Sequence, residues 1–174
     1  KMPGTSVDPS SAFRPSRVSR IALGWPGRFT IRAACAARSR ITALWTDVEW
    51  SWFTRDGRDV LYWHWSPYNG WAMDHAILGW NECLVTYLLA AASPRYPIDS
   101  AVYHKGFANG PGFCSGKRWY DIELPLGMPF GGPLFFAHYS FCGIDPRGLK
   151  DRYADYWQQN VRHVPINRAH CIAN

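Results

Sequence analysis

The sixteen residues Ile77–Ala92, ILGWNECLVTYLLAAA, are apolar on nearly every side of a helical projection and hold one charged side chain, Glu82. A surface helix shows a polar face, and a segment without one has to be surrounded by other elements. The run predicts a central buried helix around which the rest of the chain is arranged. Ser93-Pro94 closes it, because proline cannot continue the ladder and restricts the residue before it. Glu82 is the anomaly. A carboxylate in such a helix is paired, neutral or facing a cavity. Burial disfavours the charged form of a carboxyl group, and a neutral carboxyl suits a general acid. The competing reading is a structural Glu bonded to a nearby arginine, Trp80 or Tyr87.

The flanking text is read by its periodicity. Ile41, Leu44, Trp45, Val48 and Trp52 recur at helical spacing and predict an amphipathic helix that Gly57 ends at the latest. Val60–Trp65 reads as a strand, Pro67-Tyr68-Asn69-Gly70 as a tight turn, and Trp71 and Met73 as the return. Residues 95–132 show little periodicity and much glycine and proline, and read as one long ordered loop. Such a length is uncommon in a compact domain unless it is functional. Pro133–Phe141 predicts a short aromatic helix closed by Gly143. Asp145-Pro146 reads as the start of a further helix carrying Leu149, Tyr153, Tyr156, Trp157, Asn160 and Val161 on one face. Pro165 reads as the start of a last helical turn or two. The expected class is all-α (mostly α), with a short hairpin and one long loop.

Charge divides the chain. Residues 1–40 hold eight Lys and Arg against one acid, Asp8, while the remainder is close to neutral. A nucleic-acid binder is expected to carry its positive charge on the folded part, so no nucleic-acid partner is expected. Residues 1–40, broken by Pro3, Pro9, Pro15 and Pro26, read as a flexible basic leader, and 41–174 as the folded unit. No apolar run is long enough for a membrane span, and no secretory signal pattern is read. Five cysteines, at 35, 83, 114, 142 and 171, form no CxxC pair and no metal-ligand spacing. No metal and no cofactor is expected.

Further candidates are weaker. Asp74 precedes Glu82 by eight residues. On one continuous helix that is about 12 Å, beyond the roughly 6.5–9.5 Å of an inverting acid–base pair. Asp74 therefore reads as a cap or a substrate contact. Tyr62, Trp63, Trp65, Tyr68 and Trp71 crowd the hairpin, either as core or as faces for sugar rings. Asp121 and Glu123 alternate in the loop and read as a solvated face, a polar subsite or a metal site. Gly127, Gly131 and Gly132 lack the lysine and spacing of a nucleotide loop. Ser140 is in no nucleophile elbow, and His138 reads as a core or pocket histidine. Asp151 and Asp155 are like charges four apart, so an arginine relieves them or one of them has another task.

Several strings coincide in order: LYWHW at 61–65, GWNE at 79–82, AASP at 91–94, GGPLFFAHYSF at 131–141, DPRGLKDRY at 145–153 and INRAHCIAN at 166–174. From about Ile41 to Asn174 this text resembles the bacterial glycoamylase-like domain family, which includes endo-β-1,2-glucanases and a region of cyclic β-1,2-glucan synthases. The resemblance implies an (α/α)6 toroid, here partial, with a carboxylate-lined cleft that hydrolyses a β-glucan, β-1,2-linked in the favoured case. It implies Glu82 as a catalytic residue. It implies substrate contacts from Trp63, Trp65 and Asp74 on the rim, from Trp80 and Asn81 beside Glu82, and from Phe136, His138 and Tyr139 on the wall. The implied partner is a glucan oligosaccharide or polysaccharide, and the implied location is periplasmic or secreted. Residues 1–40 do not match, and the family's upstream carboxylate-bearing helix has no counterpart. The alternative is a non-catalytic carbohydrate-binding or structural fragment of such an enzyme.

Overall fold

The computed structural model describes residues 31–174, so residues 1–30 of the expected leader lie outside the described residues. Helix α1 runs Ile31–Asp47, across the point where the composition changes. A 3-10 turn, Trp50–Thr54, leads to strand β1, Leu61–Tyr62, which pairs antiparallel with β2, Ala76–Ile77. Helix α2 is Leu84–Ala91. A π-helical turn at Val102–Gly106 and a 3-10 turn at Phe107–Asn109 follow. Strands β3, Cys114–Trp119, and β4, Ile122–Leu126, form a second antiparallel hairpin. Helix α3, Leu134–His138, continues into a 3-10 turn at Tyr139–Cys142. Helix α4, Tyr156–Ala173, completes the order.

The fold is helical with two short hairpins, and it corrects the sequence reading at five places. The apolar run is not one helix: Ile77 is in β2 and α2 begins only at Leu84. Gly79 supplies the break with a φ of +82°, and a Cβ there would meet the Pro111 carbonyl oxygen at 2.3 Å. Only glycine fits both demands. Asn81 then turns the chain, its Oδ1 accepting from the Cys83 N–H at 2.9 Å.

The long loop is also not a loop throughout. Its second half is the β3–β4 hairpin, reversed by Tyr120 and Asp121, both in the left-handed region as a two-residue hairpin turn requires. Alternation failed as a signal because most of β3 faces outward whatever its side chains. Helix α4 starts at Tyr156, not at Pro146, and Asp155 caps it by accepting from the Gln158 N–H at 3.0 Å. Pro165 lies inside α4. Gln159, His163 and Ile166 are fully buried and hold the helix on both sides of it, while Val161 and Pro165 are exposed, where solvent can replace the lost bond. The expected stripe of the first helix is split: Ile41 and Leu44 are 67% and 72% exposed, and Trp52 falls in the 3-10 turn. Trp45 meets α2, its indole N–H donating to the Leu89 carbonyl at 2.9 Å.

The core lies between α2, the 102–109 turns, Phe113 and the start of α4. Leu61, Leu84, Tyr87, Phe107, Phe113, Leu126 and Tyr156 are buried there with Trp80. Two-residue strands are too short to stand alone. Tyr87 holds β1 and β2, accepting from the Leu61 N–H at 2.9 Å and donating to the Ile77 carbonyl at 2.8 Å. Gln159 ties α4 to β4 the same way, its amide making both bonds to the Leu126 backbone.

Candidate active site

A cleft of about 820 Å³ opens beside α2. Val48, Trp50 and Phe53 come from the α1 end, Leu61, Tyr62, Trp63 and Ile77 from the first hairpin, Cys83, Val85 and Thr86 from α2 and its cap, and Phe135 and Tyr139 from the α3 segment. Glu82 is the charged residue in this lining. It sits in the turn before α2 and is half-buried. Among the described residues none hydrogen-bonds or ion-pairs with its carboxylate, while its backbone carbonyl accepts from Ser140 Oγ at 2.8 Å. Cys83 lies next to it. Burial, and secondarily the Glu82 charge, push its thiol up to about 11.

The other expected contacts divide into three groups. Trp63 and Tyr139 line the cleft and are well exposed. Trp65 and Asp74 lie in the connection between β1 and β2 and are not in the cleft lining. Trp65 meets Trp52 edge-on with centroids 5.9 Å apart, and Asp74 pairs with Arg55. Arg55 in turn lies over the Tyr62 ring at 5.3 Å and near Trp71 at 6.0 Å, so this connection is braced by cation–π contacts against a cleft-lining tyrosine. Arg58 adds a hydrogen bond to the Tyr62 hydroxyl at 2.8 Å.

Trp80, Asn81, Phe136 and His138 are placed away from the lining. Trp80 is 3% exposed, stacked on Tyr156 with centroids 5.9 Å apart. Asn81 is occupied with the turn. Phe136 packs on the core, and His138 faces His163 with ring centroids 6.4 Å apart. Asp121 is in the hairpin turn and Glu123 is 3.8 Å from Arg162, so the two do not converge. Among the described residues no cluster of three or more His, Cys, Asp or Glu could hold a metal ion, and no helix is long and apolar enough to cross a membrane.

The residues that sequence reasoning missed are Trp50, Phe53 and Phe135 in the lining, and a half-buried cluster around Asp151. Asp151 Oδ2 accepts from the Tyr103 and Tyr156 hydroxyls at 2.7 and 2.8 Å, and Oδ1 from the Tyr153 and Ala154 N–H groups at 2.8 and 3.1 Å. Burial first drives both tyrosine hydroxyls well above their ordinary range; Asp151 adds to it in both, while the contact between the two hydroxyls lowers Tyr103 and raises Tyr156. Asp155 caps α4, so the like-charged pair is resolved by separate tasks. The spacing of Asp151 and Asp155 was the available signal, whereas Tyr103, 48 positions away, was out of reach of any local pattern.

Comparison with known proteins places this architecture. The Glycoamylase family model, described as "Putative glucoamylase", matches residues 74–174. An exo β-1,2-glucooligosaccharide sophorohydrolase of Parabacteroides distasonis is 37% identical over 155 residues, 79% of this chain and 22% of that protein. The crystal structure of a "putative glucoamylase" from Bacteroides uniformis is 57% identical with a TM-score of 0.77, over 82% of this chain and 35% of that one. The endo-β-1,2-glucanase of Chitinophaga pinensis, solved with sophorotriose and glucose, is 47% identical with a TM-score of 0.74, over 84% and 36%. The chain thus spans about a fifth of the length of the curated relative it matches, and about a third of each of these two structures.

Proposed function

The chain belongs to the glycoamylase-like family, and from that premise we propose that it is a glycoside hydrolase-like domain acting on a β-glucan, with β-1,2-linked glucose units as substrate. The observation that carries this reading is Glu82, a carboxylate without a described partner in a cleft otherwise lined by apolar and aromatic side chains. Such a group is placed to donate a proton to a glycosidic oxygen. Trp63 and Tyr139 offer exposed ring faces for glucose units along the same cleft. Trp65 and Asp74 extend the rim. Trp80, Asn81, Phe136 and His138 serve the site from behind, by holding the turn and the wall.

Hydrolysis requires a second carboxylate or an equivalent water path. In this reading it is supplied by the remainder of a toroid, of which the described helices form part. The exposed apolar faces of α1 and α4, with Ile41, Leu44, Trp157, Val161 and Val164, support that view, because monomeric proteins rarely leave such faces open. The same faces favour a second reading, a carbohydrate-binding fragment without turnover.

Hydrolysis of β-1,2-linked glucooligosaccharides by the complete toroid that contains this chain, with and without Glu82→Gln, separates the two. Turnover that falls at least ~100-fold in Glu82→Gln is the expected result. A melting temperature that rises with oligosaccharide, without turnover, favours the fragment. Turnover unchanged in Glu82→Gln removes Glu82 from the chemistry, and absence of both binding and turnover overturns both readings.

A further inference from the structure

Ser140 is 2% exposed and lies in the 3-10 turn Tyr139–Cys142, yet its hydroxyl reaches a segment more than fifty residues away. Oγ donates to the Glu82 carbonyl at 2.8 Å and accepts from the Val85 N–H at 3.0 Å. The first N–H groups of a helix have no partner inside it, and α2 receives no side-chain cap from Cys83. Ser140 therefore caps α2 from another element, and the same atom grips the peptide that carries the Glu82 side chain. At the other end of the same peptide, the Asn81 side chain accepts from the Cys83 N–H. The peptide that follows Glu82 is thus held at both its carbonyl and its N–H, while the Glu82 carboxylate stays free of described partners. Tyr139, the residue before Ser140, is in the cleft wall, so one turn supplies both the wall and the clamp.

We propose that Ser140 is a positioning residue for Glu82, setting where its carboxylate stands relative to a glycosidic oxygen held between Trp63 and Tyr139. This rests on the reading of Glu82 as the acid of the cleft. A carboxyl group displaced by a fraction of an ångström from a reacting oxygen transfers its proton less well, while binding through the aromatic walls persists. Loss of the hydroxyl should therefore lower kcat and spare KM.

The test compares the complete toroid that contains this chain with its Ser140→Ala, Ser140→Cys and Ser140→Thr variants in hydrolysis of β-1,2-linked glucotriose, with Glu82→Gln as reference. Near-UV circular dichroism checks that each variant is folded at the assay temperature. Ser140→Ala is expected to lose about tenfold in kcat with KM within about twofold. Ser140→Thr, which keeps the hydroxyl, should recover most of the rate, and Ser140→Cys, a weaker donor of similar size, should fall between. If Ser140→Ala does not fold, the order of Thr above Cys decides. Folded Ser140 variants with wild-type kcat, beside an impaired Glu82→Gln, overturn this inference alone. A proportional rise in KM without loss of kcat overturns it as well. No wild-type turnover, or wild-type turnover in Glu82→Gln, removes the reading of Glu82 and this inference with it.

Discussion

Two carboxylates in aromatic surroundings, Asp151 and Glu82, have opposite fates. Asp151 accepts four hydrogen bonds, two from tyrosine hydroxyls and two from backbone N–H groups. Glu82 accepts none at its carboxylate from the described residues, although the peptide that follows it is held at both its carbonyl and its N–H. An acid whose lone pairs are all used by the protein is part of the scaffold, since its loss leaves donors unpaired. An acid held only by its main chain is available to something outside the protein. The difference between the two regions separates structure from chemistry more sharply than residue type or burial does.

The contrast can be broken by experiment. Asp151→Ala is expected to have the largest effect on stability, about 3 kcal/mol, since Tyr103 and Tyr156 lose a charged acceptor. For a chain of this size that lowers Tm by roughly 6–12 °C in a near-UV circular dichroism melt. A loss below about 1 kcal/mol would show that the cluster is not a scaffold. Glu82→Gln is expected to do the reverse, with turnover down at least ~100-fold, equivalent to about 2.7 kcal/mol, and Tm nearly unmoved. A large drop in Tm would place Glu82 with Asp151.

Gly131→Ala sharpens the view of what supports the wall. Gly131 has a φ of +92°, and a Cβ there would meet the His163 ring at 2.3 Å. A loss of about 2 kcal/mol is expected from backbone strain and overpacking together. Wild-type stability in this variant would mean that the Gly131–His163 approach is loose.

The smallest effect is one of pH. Burial holds the His163 imidazole below the ordinary histidine range, with the Gly132 carbonyl bond opposing that shift and His138 adding to it. The unfolded chain takes up this proton at about pH 6.5 and the folded one only at lower pH. The unfolded state then binds more protons, so stability is full above about pH 6.5 and is lost as pH falls through the folded value. Melts between pH 7.5 and 5 should show Tm declining, and His163→Gln should flatten that decline. An equal slope in the variant would assign it to other groups.

Much of this was legible in the sequence. Asn69-Gly70 marked the turn of the first hairpin, and Ser66 and Gly70 do bridge across it. Gly143 marked the end of the α3 segment, and the long ordered motifs marked the family. Periodicity misled where a single glycine or asparagine overrode it. The run Ile77–Ala92 reads as one helix because its residues are apolar throughout, while Gly79 and Asn81, carrying no hydrophobic signal, decide that it is a strand, a turn and a helix. Ser140 was visible only as a serine outside any catalytic motif.

By itself the sequence determined the composition of the core, the family, and the placement of an acid beside Trp80 and Asn81. It did so because apolar content, turn residues and long motifs are local in the chain. The tertiary structure alone decided which acid is spent on the scaffold and which faces a cleft. Tyr103 reaches Asp151 across 48 positions and Ser140 reaches Glu82 across 58, and hydrogen bonds at such separations exist only once the chain is folded.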